Sequence, residues 1–333
     1  MNRRDWLKLA AAGALSTAVI VPRRTFAAEV IKIGTLAPGS SPWGTVLKVW
    51  SEAVKVKTGG AVELQFFFNG QQGDEGAMAS KMKSGTLDGL AVSTVGLSKI
   101  YKPILALDLP GLFTTWERLD AARDVTKAEF EKGITDAGFT FLGFIDFGAI
   151  HLMSKGFAIR TPDDVKGRKP FMWRDDPLLP VLFQLIGAAP VPMNVPEVLP
   201  ALYTGSIDIV STTPIVAEQL QWSAKLDTIT EDVTALATGG LVISTKRLRG
   251  LSEEARNVVL ETGQIAANAL TKRIRSEDEN AFGRLKSRMT VISRSAAERS
   301  KWQTLYKQLR GGLAKGTFEP ELIAKLEAIA NRR

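Results

Sequence analysis

Residues 30–36 read VIKIGTL, a short apolar segment rich in Val and Ile, which is the composition of a buried β-strand. Similar apolar segments recur along the chain at 62–68, 89–94, 139–145, 207–212 and 241–245. The stretches between these segments are longer and have the character of helices. This alternation of strands and helices predicts an α/β protein built on largely parallel sheets that are covered by helices.

A different pattern begins at Ser252 and continues to Met289. Apolar or small residues recur there, from Ala255 to Leu285, with the 3.6-residue period of an amphipathic helix. Ser252 is a suitable N-cap, and the acidic residues at 253–254 suit the positive end of the helix. An unbroken helix of this length would be about 55 Å long at about 1.5 Å per residue, which is more than the width of one domain. We therefore predict that it braces two domains.

The chain has 333 residues, of which 45% are hydrophobic and 23% charged, and this is typical of a folded protein of about two domains. Its first residues have the features of an export signal. Arg3, Arg4 and Lys8 precede an apolar run at 9–21, and small residues that suit cleavage follow it. The run is shorter than the roughly 20 residues that span a bilayer. We predict a signal peptide at residues 1–27 and a protein that is exported in soluble form to the periplasm and is not embedded in the membrane.

The pair Arg3-Arg4, followed by Trp6, resembles the twin-arginine signal, although that motif usually carries Phe where Trp6 stands. A twin-arginine route implies that the protein folds before export. An ordinary Sec signal is the alternative, because any basic N-terminal region has the same charge.

The residue types that most catalytic and cofactor sites need are scarce. The chain has no cysteine and one histidine, His151, which lies in an apolar strand-like stretch where a structural role is favoured. Thiol nucleophiles, catalytic triads and His-rich zinc sites are therefore excluded, and no disulfide or lipid-bearing cysteine is expected. Neither a P-loop nor a G-x-G-x-x-G sequence occurs, so no nucleotide cofactor is predicted. We interpret the chain as not an enzyme, with no cofactor and no metal.

The remaining candidates for acid–base or cation chemistry are three pairs of adjacent carboxylates: Asp74-Glu75, Asp163-Asp164 and Asp175-Asp176. Adjacent side chains point apart on a strand, so such pairs more often cap helices or face solvent. The net charge of +8 falls to +4 without residues 1–27, which hold five basic residues and one acidic residue. The other basic residues are interspersed with acidic ones, which is typical of a solvated surface and not of a nucleic-acid site.

Several motifs occur in a characteristic order between residue 30 and about residue 290. They are TGG at 58–60, NGQQGDE at 69–75, KSGTLDG at 83–89, LDLPGLF at 107–113, TPDDVKG at 161–167 and GAAPVPM at 187–193, followed by Glu197, Gly205 and Asp208. Each motif alone is weakly specific, whereas their order and spacing together are specific. On these motifs the chain resembles the solute-binding proteins of TRAP (tripartite ATP-independent periplasmic) transporters, in the dicarboxylate-binding (DctP-type) family.

The resemblance implies a two-lobed periplasmic binding protein fold, with a ligand cleft between the lobes and a long helix that spans both. It divides the chain into domain I, residues 29–147 plus 236–275, and domain II, residues 148–235 plus 276–333. It also implies a small-molecule ligand that is captured by hinge closure and delivered to the small and large membrane subunits of an ion-gradient-driven transporter. Composition and periodicity alone predict only an exported α/β protein.

Two positions depart from the pattern of the family. The family usually has an arginine after Gly-x-Lys-x in the second domain, where it clamps the ligand carboxylate through two parallel hydrogen bonds, and Phe171 stands there in this chain. A second family arginine aligns with Ile150. A carboxylate buried without a charged partner would cost several kcal/mol. We therefore predict a small apolar or aromatic ligand instead of a simple organic acid.

We predict that an aromatic pocket replaces the two arginines. The strand period of two turns Trp173 to the same face as Phe171, and Arg174 to the other. The predicted ligand-binding residues are Phe171, Trp173, Ile150, Trp43, Phe147, Thr94, Glu75, Arg174, Met193, Tyr203, Thr212, Thr213 and Trp222. Thr94 is included because it is similar to a family position that often touches ligand. Thr213, which precedes a proline, is equally suited to cap a helix.

Three alternatives remain open from the sequence. In the first, Arg174 takes over the clamp for an organic acid and the aromatic rings are ordinary core. In the second, the chain is the ligand-binding protein of a membrane sensor kinase, which would share the fold and the cleft. In the third, it is a periplasmic enzyme on this scaffold, which would need Asp74, Glu75 or Asp146 to converge in the cleft.

Overall fold

The computed structural model describes residues 28–331, so the predicted signal peptide at 1–27 lies outside the described residues. The strands are β1 Glu29–Gly34, β2 Val62–Phe67, β3 Gly89–Ser93, β4 Phe139–Ser154, β5 Phe171–Trp173, β6 Val191–Met193, β7 Ile209–Thr212, β8 Thr228–Thr230, β9 Ala235–Ser244 and β10 Thr290–Ile292. The α-helices are α1 Pro42–Lys57, α2 Glu75–Lys83, α3 Thr94–Ser98, α4 Trp116–Asp136, α5 Leu179–Ile186, α6 Val198–Thr204, α7 Pro214–Gln219, α8 Thr245–Arg249, α9 Glu253–Lys286, α10 Ala296–Leu313 and α11 Pro320–Ala330. Short 3-10 helices occupy Lys102–Asp108, Pro162–Val165, Val195–Glu197 and Trp222–Lys225.

The strands form a sheet in the order β10-β8-β4-β9-β3-β1-β2, with β7 also paired to β4, and β5 and β6 form a separate parallel pair. The pairs β1–β2, β1–β3 and β8–β10 are parallel. By contrast, β4 pairs antiparallel with β7, β8 and β9, and β9 pairs antiparallel with β3. The expectation of largely parallel sheets is therefore wrong at the centre, where the chain passes between the lobes on β4 and returns on β9.

The strand β4 is 16 residues long and connects the lobe that contains β1–β3, called the first lobe, to the lobe that contains β5–β7, called the second lobe. Residues 139–150 pair with β9, and residues 151–154 pair with β7. The register shifts twice, at Gly143 and at Gly148, and the φ of Gly148 is +118°, which disfavours any residue with a side chain. Such irregularities bend a strand, so β4 changes direction where it leaves the first lobe.

The long helix predicted at 252–289 is confirmed as α9, which has 34 residues and is about 51 Å long at about 1.5 Å per residue. The Ser252 side chain accepts the Ala255 N–H at its N-terminus, at 3.2 Å. The helix is buried in two separate cores, since Val259 packs with the first lobe and Leu285 with the second. It is therefore a shared wall of both lobes.

The C-terminal helices contact both lobes. In α11, the Ala330 carbonyl accepts a hydrogen bond from Arg118 of α4, at 2.6 Å. In α10, the Trp302 indole N–H donates to the Arg160 carbonyl of the second lobe, at 2.9 Å. Within residues 28–331, no helix combines the length and the apolar character needed to cross a membrane.

Candidate functional site

A cavity of about 220 Å³ lies between the two lobes. The first lobe contributes Trp43 and Phe147 to its wall, and the second contributes Ile150, Phe171 and Trp222. The remaining lining residues are Leu36, Ala37, Pro38, Glu75, Ser93, Val95, Leu105, Asp108, Pro110, Trp173, Asp176, Leu178, Leu179, Leu182, Val195, Ser211, Thr212, Thr213, Val216, Gln219, Leu220, Thr234, Ala235 and Ala237. An apolar cavity with a few polar groups is the usual form of a small-molecule site.

Nine of the thirteen residues predicted from the sequence line this cavity, namely Trp43, Glu75, Phe147, Ile150, Phe171, Trp173, Thr212, Thr213 and Trp222. Phe171 and Trp173 alternate along β5 and both face the cavity, as the strand period predicts. The Phe171 ring packs edge-on against Trp222, with centroids 5.9 Å apart, and Trp43 stacks on Phe147 at 5.7 Å. The aromatic wall thus has contributions from both lobes.

The Trp43 indole and the Thr213 hydroxyl of the wall both bond to backbone atoms. The Trp43 indole N–H donates to the Asp146 carbonyl oxygen, at 3.1 Å. Thr213 caps α7 by accepting the Val216 N–H at 3.3 Å, and its hydroxyl donates to the Phe147 carbonyl at 2.8 Å. Helix capping therefore already uses the hydrogen-bonding capacity of Thr213.

The other four predicted residues do not line the cavity. Arg174 is exposed, since the period of two turns it away from the cleft, and its guanidinium lies 3.9 Å from the Glu197 carboxylate. Tyr203 is 60% exposed beneath the Lys225 ammonium. Met193 is packed in the core of the second lobe, and Thr94 is fully buried behind the cavity wall.

The lobes also make direct hydrogen bonds at the rim of the cleft. The Trp173 indole N–H and the Val195 N–H both donate to Asp74 Oδ2, at 3.1 and 3.0 Å. The Gly76 N–H donates to Asp175 Oδ2 at 2.8 Å, and burial raises the pKa of Asp74. These bonds join α2 of the first lobe to β5 and the segments around it in the second, so the structure shows the lobes in contact.

Three carboxylates line the cavity. Glu75 is fully bonded, because Oε1 accepts the Ser93 N–H at 2.9 Å and Oε2 accepts the Ser93 hydroxyl at 2.6 Å and the Gly96 N–H at 2.9 Å. Burial raises the pKa of Glu75 to about 7. Its bonds tie the first turn of α2 to the start of α3, so this carboxylate has a structural role beside the cavity.

Asp108 and Asp176 are the other two carboxylates. The Thr94 hydroxyl donates to Asp108 Oδ2, and the Thr238 N–H interacts more weakly with the same carboxylate. Burial, with a smaller contribution from the Asp176 carboxylate, raises the pKa of Asp108 to about 8. Asp176 Oδ1 accepts the Leu178 N–H at 2.7 Å, and burial raises the pKa of Asp176 to about 6.

Sequence reasoning missed these two aspartates as cavity residues. Asp108 lies in the LDLPGLF motif, which was used only for the resemblance, and Asp176 was interpreted as a helix-capping or solvent-facing residue. Asp176 accepts the N–H of Leu178, the residue before α5, and the same loop places it in the cavity wall. A carboxylate between apolar residues, as in the run 105–110, is a signal that could have found Asp108.

No lysine, arginine or histidine of residues 28–331 lines the cavity. The nearby Lys99 ammonium donates to the Asp175 carbonyl at 2.8 Å. His151 is 2% exposed, its Nδ1 lies 2.8 Å from the Thr230 carbonyl, and its ring stacks on Phe282. Burial lowers the pKa of His151 to about 4, so it is neutral at physiological pH. Within the described chain, no group of three His, Cys, Asp or Glu side chains could hold a metal ion.

The model of the family of bacterial extracellular solute-binding proteins, family 7 (DctP), matches residues 33–312. The chain belongs to this family. Family 7 members are solute-binding proteins of TRAP transport and not enzymes, which confirms the resemblance found in the motifs and the prediction of a non-catalytic protein.

Curated relatives in family 7 match most of the chain. The C4-dicarboxylate-binding periplasmic protein DctP of Rhodobacter capsulatus is 25% identical over 98% of this chain and 98% of its own length. The 2,3-diketo-L-gulonate-binding periplasmic protein YiaO of Escherichia coli is 23% identical over 79% of this chain and 80% of its own length.

Solved structures confirm the two-lobed fold of this family 7 protein. A TRAP periplasmic solute-binding protein from Sulfurospirillum deleyianum with bound succinate has a TM-score of 0.82 at 21% identity, and the match covers 91% of this chain and 99% of that one. The sugar acid binding protein DctPAm from Advenella mimigardefordensis in complex with galactonate has a TM-score of 0.84 at 20% identity, covering 91% and 98%.

Proposed function

We propose that this chain is the periplasmic solute-binding subunit of a TRAP-type secondary transporter and that its ligand is small and mainly apolar or aromatic. One observation carries the ligand class: the cavity between the lobes is walled by aromatic rings and is lined by no basic residue of the described chain. The positions of the two family arginines are held by Phe171 and Ile150, and both line the cavity.

An organic acid is the competing ligand class, because the relatives named above bind C4-dicarboxylates, diketogulonate, succinate or galactonate. A carboxylate in this cavity would lie among Asp108, Asp176 and Glu75, with no positive partner lining the wall. An unpaired buried charge costs several kcal/mol, while the whole free energy of micromolar binding is about 8 kcal/mol. The charge of the cavity wall therefore supports an apolar ligand over an acid.

The proposed mechanism is hinge closure. A ligand in the cavity contacts both lobes, so it stabilises the form in which the rim bonds of Asp74 and Asp175 are made. The bend of β4 at Gly148 lies at the crossing between the lobes and is the proposed hinge. The closed form would then dock on the small and large membrane subunits of the transporter. A sensor kinase partner would use the same closure. Uptake of the ligand by proteoliposomes that contain the membrane subunits would identify the transporter, and not a sensor kinase, as the partner.

Native mass spectrometry of the protein purified from its host tests the ligand class. We expect a co-purified neutral or aromatic compound, and its affinity for the stripped protein can then be measured by calorimetry. Trp173→Ala removes cavity wall and should weaken that affinity by about tenfold or more, because a buried aromatic side chain contributes a few kcal/mol of contact. Tyr203→Ala, which removes an exposed aromatic ring outside the cavity, is the matched control and should bind normally. A retained dicarboxylate would contradict the proposed ligand class.

A further inference from the structure

The two lobes differ in whether the polar side chains of their cavity wall are already hydrogen-bonded. In the first lobe, the Ser93 hydroxyl donates to Glu75 at 2.6 Å, and the Trp43 indole N–H donates to the Asp146 carbonyl at 3.1 Å. Both donors line the cavity, and both are used by the protein itself. The first lobe therefore offers a ligand mainly apolar surface.

The second lobe has four side chains with donor groups in its cavity wall, namely Ser211, Thr212, Gln219 and Trp222. No hydrogen bond of ordinary length and angle joins these side chains to residues 28–331, and none of their polar atoms is sealed from solvent. The four groups therefore open onto the cavity and are free to bond a ligand.

One short segment, residues 211–222, carries all four donors. Strand β7 ends at Thr212, helix α7 ends at Gln219, and Trp222 begins the 3-10 helix that follows. The Trp222 side chain is 3% exposed, and its ring packs edge-on against Phe171, with centroids 5.9 Å apart. A buried indole N–H usually has a hydrogen-bond partner, and packing of the ring fixes the direction in which this N–H points. The donor of Trp222 is thus held in place for a partner that the described chain does not supply.

We infer that the ligand carries a neutral oxygen acceptor, such as a carbonyl group, and that the 211–222 segment binds this oxygen. The inference rests on the proposed function and specifies the polar end of the ligand. The indole N–H of Trp222 can only donate, so its partner must be an acceptor, and the Gln219 amide and the two hydroxyls can also donate. The apolar body of the ligand would lie against the rings of Trp43 and Phe147 in the first lobe.

A carboxylate is the competing polar end, because it accepts the same hydrogen bonds. It would bring a negative charge into a wall that already holds Glu75, Asp108 and Asp176 and is lined by no basic residue of the described chain. An unpaired buried charge is strongly unfavourable. A carbonyl oxygen accepts the same bonds without that charge, so it suits this wall better.

The test uses ligands that match in shape and differ in the polar end. One series is benzylacetone, n-butylbenzene and hydrocinnamate, and a smaller one is acetophenone, ethylbenzene and benzoate. Each series contains a ketone, a hydrocarbon and an acid. Equilibrium dialysis against the purified protein should show the ketone binding about tenfold tighter than its hydrocarbon, because the hydrocarbon leaves the donors of the 211–222 segment buried and unpaired.

Two substitutions test the donors themselves. Trp222→Phe keeps an aromatic ring and removes the N–H, and Gln219→Leu removes the amide at similar volume. Each should lower the ratio of the ketone's affinity to the hydrocarbon's by about threefold or more. A merely structural role would weaken both ligands alike and leave this ratio unchanged. Trp302→Phe is the matched control and should keep the ratio, because its indole N–H donates to the Arg160 carbonyl away from the cavity.

The outcomes separate this inference from the proposed function. If the hydrocarbon binds as tightly as its ketone, the carbonyl inference fails and the proposed apolar ligand class stands. If the acid of a series binds most tightly, or if no member of either series binds, both fail. A preference for the ketone that survives in both Trp222→Phe and Gln219→Leu would also overturn the inference, because the donors that bind the oxygen would then lie elsewhere.

Discussion

Two aspartates near the junction of the lobes, the fully buried Asp146 and the partly buried Asp108, differ in what surrounds them. Asp146 of β4 is fully buried, and its carboxylate is bonded by the guanidinium groups of Arg123 from α4 and Arg275 from α9. Arg275 also binds Asp120 with two bonds, of 2.7 and 2.6 Å. The partners of Asp108 are neutral, namely the Thr94 hydroxyl and, more weakly, the Thr238 N–H.

The difference shows two ways in which this fold accommodates a carboxylate away from water: arginine partners at Asp146 and neutral donors at Asp108. Two different helices supply arginines to Asp146, so cations are available close to the cleft. A shortage of cations therefore does not explain why no basic residue of the described chain lines the cavity. Where a carboxylate holds elements of the fold together, its partners lie in the same chain. Where a carboxylate lies in the wall of the cavity, as Asp108 does, its partners are neutral and burial raises its pKa.

The largest effect is expected from removing one of the two arginines that bind Asp146. Arg123→Ala leaves the buried Asp146 carboxylate with one of its two cations and should lower the free energy of unfolding by about 3–5 kcal/mol. Urea denaturation followed by circular dichroism measures this change. Arg174→Ala is the control, since its exposed ion pair should contribute less than about 1 kcal/mol. Equal losses in the two variants would contradict the distinction between the sites.

A smaller effect of opposite sign, a stabilisation, is expected when Asp108 is replaced. The pKa of Asp108 is about 8 in the folded protein and near 4 when unfolded, so between these values the folded state holds a proton that the unfolded state has lost. The free energy of unfolding therefore falls as the pH rises from about 4 to about 8. Asp108→Asn removes this contribution and should stabilise the unliganded protein by about 1–3 kcal/mol at pH 8.

Denaturation of the wild type and of Asp108→Asn at about pH 5 and about pH 8 checks the sign. The two should converge at the lower pH and separate at the higher one. In Asp108→Asn, the dependence of the free energy of unfolding on pH should become weaker without disappearing. The raised pKa values of Glu75 and Asp176 act in the same direction as that of Asp108 and remain in the variant. Parallel profiles would contradict the raised pKa of Asp108 in the folded protein.

The smallest effect is expected at Asp278 of α9, which is intermediate between the two cases. It is 4% exposed, and it is bonded to the backbone N–H groups of Ala149 at 2.7 Å and Ile215 at 3.0 Å, without a cation. Asp278→Asn keeps one acceptor and places an N–H group opposite the other donor, which should cost about 1 kcal/mol in urea denaturation. A loss as large as that of Arg123→Ala would mean that the charge of Asp278, and not its hydrogen bonds, determines its contribution to the free energy of unfolding.

The sequence predicted much of the fold because the local signals agree with the tertiary structure. The segments predicted at 30–36 and 62–68 correspond to β1 and β2, and the helix at 252–289 to α9. The segment predicted at 139–145 includes Gly143 but ends before Gly148, whereas β4 continues through both register shifts to Ser154. Beyond Gly148 the strand is held in place by its pairing with β9 and β7. Such pairing is not visible in the local sequence.

Residues of the candidate site were predicted where the alternation of side chains along a strand places them in the cavity. They were missed where the packing of distant segments does so. Phe171 and Trp173 follow from the period of two, which also turned Arg174 outward. Asp108 was missed because its position in the cavity wall depends on how the two lobes pack together. The same holds for Met193, whose neighbours in the core of the second lobe are distant in sequence.

The indole of Trp173 gives this protein an internal optical reporter. Its N–H crosses from one lobe to Asp74 of the other, at 3.1 Å, and its ring faces the cavity. Separation of the lobes would remove that bond and bring water to the ring, which shifts tryptophan emission to longer wavelength. Stopped-flow fluorescence, compared between the wild type and Trp173→Phe, would then time the capture and release of cargo without any attached dye.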